Sequence, residues 1–122
     1  RLAATMSIGF IGNHNSIPIL EKLLNDNEAN IRWDAAVGLA KMGSQACVPV
    51  LSNLLDREYL MTFPELNFEE ISKVMMIAIK ASSNIKDPVF ESKLKDLSKA
   101  DENLKIRNAA IKTLEKTYNQ VI

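Results

Sequence analysis

The sequence predicts an all-α fold, a right-handed α–α superhelix of about seven helices, and three observations carry that expectation. Ile31 to Leu55 reads as one complete helix-turn-helix unit. The same pattern stands 31 residues earlier in register with no gap, and its opening returns once more at a shift of 75 residues. A fixed period of this kind marks a solenoid, in which each unit buries its apolar face against the next.

In the reference unit, Ile31, Ala35, Leu39 and Met42 recur at helical spacing, and Ala36 and Val37 broaden the stripe. Gly43 closes that helix. After the turn Ser44-Gln45-Ala46, residues Val48, Leu51, Leu54 and Leu55 share one face of a second, antiparallel helix. Pro49 falls in its first turn, where the missing N–H costs little.

The shift of 31 lays Arg1 on Arg32, Ala4 on Ala35, Gly12 on Gly43, Pro18 on Pro49, Leu20 on Leu51 and Leu23-Leu24 on Leu54-Leu55. The shift of 75 lays Asp101 to Ala110 on Asp26 to Ala35. One domain over residues 1–122 results, with units at about 1–26, 27–57, 68–100 and 101–122 and an insertion at about 58–67.

Residues 1–11 read as a first helix, and Asn13-His14-Asn15-Ser16 as the turn that follows Gly12. Asn15 or Ser16 is expected to cap a helix running through Pro18 to Asn25. Helices this short are marginal alone in water, so Leu20, Leu23 and Leu24 must be buried against neighbouring units. Asp26 or Asn27 is expected to cap the helix that carries Arg32.

Beyond the insertion, Ile71 to Ser82 is apolar nearly all round and should be the most buried helix, with Asn67 and Glu70 forming a capping box. Asp87-Pro88 opens a helix to about Lys99 whose seam is Phe90, Leu94 and Leu97. The last helix, Glu102 to Gln120, carries Ile106, Ala110, Leu114, Tyr118 and Val121.

Ile31-Arg32-x-x-Ala35-Ala36, followed by a Gly-closed helix and a Pro-bearing one, resembles HEAT repeats, particularly the short bilin-lyase-like variety. The resemblance implies structural repeat positions at Arg32, Arg107, Gly12, Gly43, Pro18 and Pro49, with the two arginines bracing inter-repeat turns by bonding a nearby acid or carbonyl. The third unit departs from the pattern, since Ser72 stands where Arg is expected and Ser83 replaces the closing Gly. In this family the second helix of each unit lines the concave groove, which places Glu21, Lys22, Asn53, Lys95 and Lys99 there, together with Asn25 and Ser52.

For function the resemblance implies a non-catalytic protein-interaction or scaffolding module. The alternative is a bilin-lyase-like or alkylated-base-glycosylase-like subunit that uses the concave face, a thought that Trp33 and Asp34 invite. Both lie on the first helix of their unit, which faces the convex side, and none of the groove candidates is aromatic, so base stacking is poorly served.

With 47% apolar and 25% charged residues among 122, the chain has the composition of one folded domain. Its net charge is zero, and Lys93, Lys95, Lys99 and Lys105 are interleaved with Asp96, Asp101 and Glu102. No strong nucleic-acid binding is expected, because neutralising phosphates needs a clear basic excess. The sequence has no apolar run long enough to span a bilayer and no leader pattern, so membrane insertion is not expected. Arg1 already stands in mid-motif, as in a piece of a longer solenoid.

One cysteine, Cys47, forms no internal disulfide and fits the cytoplasm. Its place at a helix start can lower a thiol pKa, yet a small packing residue is the expected role. His14, the only histidine, has no partner at metal-ligand spacing, and the chain shows no phosphate loop and no His-Glu-x-x-His or Gly-x-Ser-x-Gly motif. No catalysis, cofactor or metal is expected.

The insertion does what the repeat does not require. Tyr59, Leu60, Met61, Phe63, Leu66 and Phe68 crowd six large apolar residues into ten positions, with Glu58, Glu65, Glu69 and Glu70 within or beside them. A loop needed only to join two helices would be short and polar. Either these side chains fold back over the third unit, shielding Ile71 and Met75, or some stay exposed as a partner-binding patch at Tyr59, Met61, Phe63, Leu66 and Glu65.

Overall fold

A computed structural model of the protein describes residues 16–119, and every regular element there is helical. Helix α1 spans Ile17–Leu23, with Pro18 in its first turn and Leu20 fully buried. It stops short of Asn25, because the Asn25 and Asp26 N–H groups turn back to Lys22 O and Leu23 O and tighten the chain. Ser16 occupies the N-cap without a side-chain capping bond. Asn15, His14, Gly12 and the helix expected over residues 1–11 lie outside the described residues.

Helix α2, Ala29–Lys41, is capped neither by Asp26 nor by Asn27. Asp26 Oδ1 accepts from the Glu28 N–H at 2.8 Å, and that turn completes itself before the helix begins, which moves the N-cap to Glu28. Trp33, Ala35, Ala36, Val37, Leu39 and Ala40 are all buried. At the other end Gly43 has φ +77°, which permits its N–H to reach Ala40 O at 3.0 Å and the Ser44 N–H to reach Leu39 O at 2.9 Å. This paired closure satisfies the last carbonyls and needs the left-handed backbone that glycine adopts without a Cβ penalty.

A 3-10 turn over Gln45–Cys47 leads into α3, Val48–Asn53. Leu51, Leu54 and Leu55 are buried, the last two in the turn just past the helix end. A short helix α4, Arg57–Met61, then leads into the insertion. The expected number of helices, about seven, is thus reached among the described residues by a different set.

Helix α5, Phe68–Ser82, buries Ile71, Val74, Met75, Ala78, Ile79 and Ala81 and turns Glu69, Lys73 and Lys80 to solvent. The Asn67–Glu70 capping box closes its start, with Glu70 N to Asn67 Oδ1 at 2.8 Å and Asn67 N to Glu70 Oε1 at 2.9 Å. Helix α6, Pro88–Ala100, starts at Asp87, whose Oδ1 accepts from the Val89 N–H at 2.8 Å. Helix α7, Leu104–Tyr118, is shorter than expected at both ends. Asn103 caps it, since Asp101 is drawn into other bonds, and Asn119 in the left-handed region (φ 53°) ends it.

The packing forms two layers. Helix α2 lies against α5 and α5 against α7, while α3 lies against α6, and contacts of α2 with α1 and α3 and of α6 with α7 join the layers. One continuous apolar core results, from Leu20 through Leu51, Met75 and Phe90 to Leu114. Tyr118 fastens the last helix. Its hydroxyl accepts from the Asp87 N–H at 3.0 Å and sits 3.0 Å from Asp87 O and 3.3 Å from Ile85 O, and burial raises its pKa above the ordinary 10.0.

Candidate partner-docking site

The insertion is built on two anchors. Asp56 caps α4 by accepting from the Glu58 and Tyr59 N–H groups at 3.0 and 3.4 Å, which sets the direction of a single turn of helix. Leu60 then points into the core with no exposed area, and Leu66 is buried just before the capping box. Tyr59 and Phe63 are half-buried against Trp33 of α2. The three rings meet edge to face, with centroids 6.4 Å (Trp33–Tyr59), 5.2 Å (Trp33–Phe63) and 5.3 Å (Tyr59–Phe63) apart.

The insertion therefore divides. Leu66 does not belong to an exposed patch: its apolar side chain is inside, and Tyr59 and Phe63 spend much of their surface on Trp33. Met61 (61% exposed) and Phe68 (48% exposed) stay outside, as does Glu65. Phe68, which the sequence reading did not place in the patch, stacks over the Arg57 guanidinium at 4.6 Å from carbon to ring centroid.

Beneath this surface lies a polar network joining three segments distant in sequence. Arg57 donates from Nε to Asp101 Oδ1 at 2.9 Å and from Nη2 to Asp101 Oδ2 at 2.8 Å, a bidentate pair with 8% and 2% of the two side chains exposed. Ser72 Oγ accepts from Arg57 Nη2 and from Asn103 Nδ2, each at 3.2 Å. Asp101 Oδ2 also accepts from the Asn103 N–H at 3.0 Å. Burial pushes the Asp101 carboxyl upward, but the Arg57 and Asn103 hydrogen bonds and the charges of Arg57 and Arg107 outweigh it and hold its pKa below the ordinary 3.8. Arg57 Nη1 is buried without an acceptor among the described residues.

Two clefts open on either side of Arg57 and Glu102. One, of about 260 Å³, has apolar walls from Met61, Phe63, Pro64, Leu66, Phe68 and Ile71. The other, of about 440 Å³, carries Asp56, Glu58, Asp96, Asp101 and Glu102 against Arg57 and Lys93. Past Phe68 a further groove runs between α5 and α7, along Met76, Ile106, Lys73 and Lys105.

The residues assigned to the concave groove are not brought together by any of these clefts. Glu21, Lys22, Asn25, Asn53 and Lys99 are exposed singly on the α1, α3 and α6 layer and its turns, and Lys95 pairs with Glu91 at 3.5 Å. Ser52 is buried and bonds Pro49 O at 2.9 Å, so it faces no groove. Arg32 donates to Asp26 O at 2.8 Å and Asn27 O at 3.2 Å, which braces the turn into α2. Among the described residues Arg107 makes no matching bond to the carbonyls of its own turn, and its Nε is buried without a partner.

Trp33 is 1% exposed and offers no face to a flat ligand. Cys47 is fully buried, and burial pushes its thiol up to about 12, against the helix-start effect. Among the described residues no three His, Cys, Asp or Glu side chains gather as a metal site would need, and no helix is long and apolar enough to cross a membrane.

Sequence reasoning missed Arg57, Asp101 and Glu102. The one available signal was the register of Asp101 on Asp26, which marks a turn position without saying that its carboxylate is captured by the insertion.

Paired helices in two layers, with one layer's helices following Gly- or Asx-marked turns, define a helical-repeat protein. A family model of HEAT repeats matches residues 1–61, and the chain belongs to the HEAT-repeat family. Beyond the matched half, α5, α6 and α7 extend the same layering. Comparison with curated proteins and with solved structures returned no match.

Proposed function

We propose that this domain is a non-catalytic protein-interaction or scaffolding module, working in the cytoplasm, whose docking surface is the exposed half of the insertion. HEAT repeats generally serve protein–protein interaction. The observation that carries the assignment of the surface is the apolar cleft between Met61 and Phe68, where two large side chains stay in solvent although buried core lies directly beneath them. Such a patch with a polar rim is the usual form of an interface centre. The buried, unpaired Cys47 thiol accords with a reducing compartment.

Met61→Glu tests the reading. This substitution lies on an exposed side chain and should leave the melting curve of the domain in place. A native partner recovered with the wild-type chain, then purified and titrated against it, should lose affinity for the variant. Unchanged affinity of that purified partner would remove the docking role, and a turnover reaction by the domain alone would remove the non-catalytic one.

A further inference from the structure

The two clefts flanking Arg57 are adjoining, chemically opposite compartments, and they describe what docks there. The apolar one, at about 260 Å³, is below the roughly 300–1,000 Å³ of small-molecule sites and suits a single bulky side chain. The neighbouring cleft has five carboxylates and two cations among its lining residues. Both cations are already engaged, which leaves three of the carboxylates uncompensated. Arg57 is taken up by the bidentate pair with Asp101, and Lys93 sits 3.5 Å from Asp56. Glu58, Asp96 and Glu102 are all exposed, and no cation of the described chain forms an ion pair with them.

Glu102 lines both compartments, so a segment whose apolar side chain enters beside Met61 has carboxylates within the next residues of its path. Arg57 stands at the same divide, with Nη1 lacking an acceptor among the described residues.

Resting on the docking reading above, we propose that this surface binds a partner segment in which a bulky apolar residue is followed or preceded closely by lysine or arginine. The apolar side chain fills the Met61–Phe68 cleft, and the cation is held by Asp96, Glu102 and Glu58. The apolar contact supplies most of the affinity, and the carboxylates select the sequence and speed encounter. An acidic segment is rejected by the same charges.

The test is a random dodecapeptide library displayed on phage and selected against the full chain. Enriched sequences should place Leu, Phe, Met, Ile or Trp within three positions of Lys or Arg. A synthetic peptide of the leading sequence should lose affinity by about tenfold or more on Met61→Glu and on the double variant Asp96→Lys/Glu102→Lys. The peptide with its basic residue changed to Glu should bind the double variant better than it binds the wild type. Enriched peptides that need Met61 but carry no basic residue, or ignore the charge reversal, would overturn this inference and leave the docking reading standing. Peptides indifferent to Met61→Glu, or a library without any binder, would overturn both. A concentration-dependent dimer in sedimentation that Met61→Glu abolishes would make a second copy the occupant and overturn the basic-segment inference.

Discussion

Arg57 and Asp101, 44 positions apart, form a buried bidentate pair that ties the start of the insertion to the turn before the last helix. Such a pair costs much desolvation, so its main effect is on which arrangement the chain selects, and breaking it from one side is far worse than never having it. In the second unit Arg32 of α2 grips the preceding turn; in the third the corresponding position is Ser72 of α5, whose Oγ accepts from Arg57 of α4 instead.

Arg57→Met should therefore destabilise the domain by about 3–5 kcal/mol, because Asp101 is left buried without its cation. The double variant Arg57→Met/Asp101→Leu should recover part of that loss. Urea unfolding of both variants checks the order; a single variant as stable as wild type would mean that the pair is not formed.

Asp101 also sets an acid limit. Its folded pKa is depressed, so its contribution to stability is complete above the ordinary value of 3.8 and is lost as pH falls through the lower folded value. Stability measured by thermal melts should fall as pH drops below about 4, more steeply for the wild type than for Asp101→Asn. Parallel acid limbs would assign the loss to other carboxylates.

Cys47 works in the opposite direction. Its folded pKa is raised from 9.0 to about 12, so the folded state keeps a proton that the unfolded state releases in that range, and this contribution to stability is lost as pH rises above 9.0. At neutral pH the buried thiol should be inert. A disulfide reagent such as Ellman's should react with it only as fast as the domain opens, and with the full count of one thiol in urea. Fast labelling of the folded chain would place Cys47 at the surface.

The core register was legible because repetition multiplies a weak signal. Leu20, Leu51 and Leu54 follow from the period alone, and each is fully buried. Leu54→Ala should cost about 2–5 kcal/mol by cavity formation, read as a shift of the urea midpoint, and a midpoint within error of wild type would refute the register. The Asn67–Glu70 box was equally legible, being a local rule confined to four residues. What the letters did not carry was anything set by contacts distant along the chain. Asp26 missed its capping role because it closed its own turn first. The capture of Asp101 by Arg57 leaves no periodic trace, and the division of the insertion between core and surface depends on where Trp33 happens to lie.

That division gives the last prediction. Phe63 and Met61 are two positions apart on the insertion, both large and apolar, and composition alone assigns them one role. The structure separates them. Phe63 makes edge-to-face contacts with Trp33 and Tyr59 at 5.2 and 5.3 Å, whereas Met61 is 61% exposed. Each such ring pair contributes about 0.5–1.5 kcal/mol beyond its burial, so Phe63→Ser should destabilise the domain by at least 1–3 kcal/mol, roughly, and Tyr59→Ser should follow it. Met61→Ser touches no ring pair, and its effect should stay within about 0.5 kcal/mol. Thermal melts of the three variants distinguish the roles, because a surface patch predicts three unchanged curves and a fully folded-back cover predicts three lowered ones. Two lowered and one unchanged is the outcome expected here. It would leave Met61 as the position at which docking can be altered without disturbing the fold.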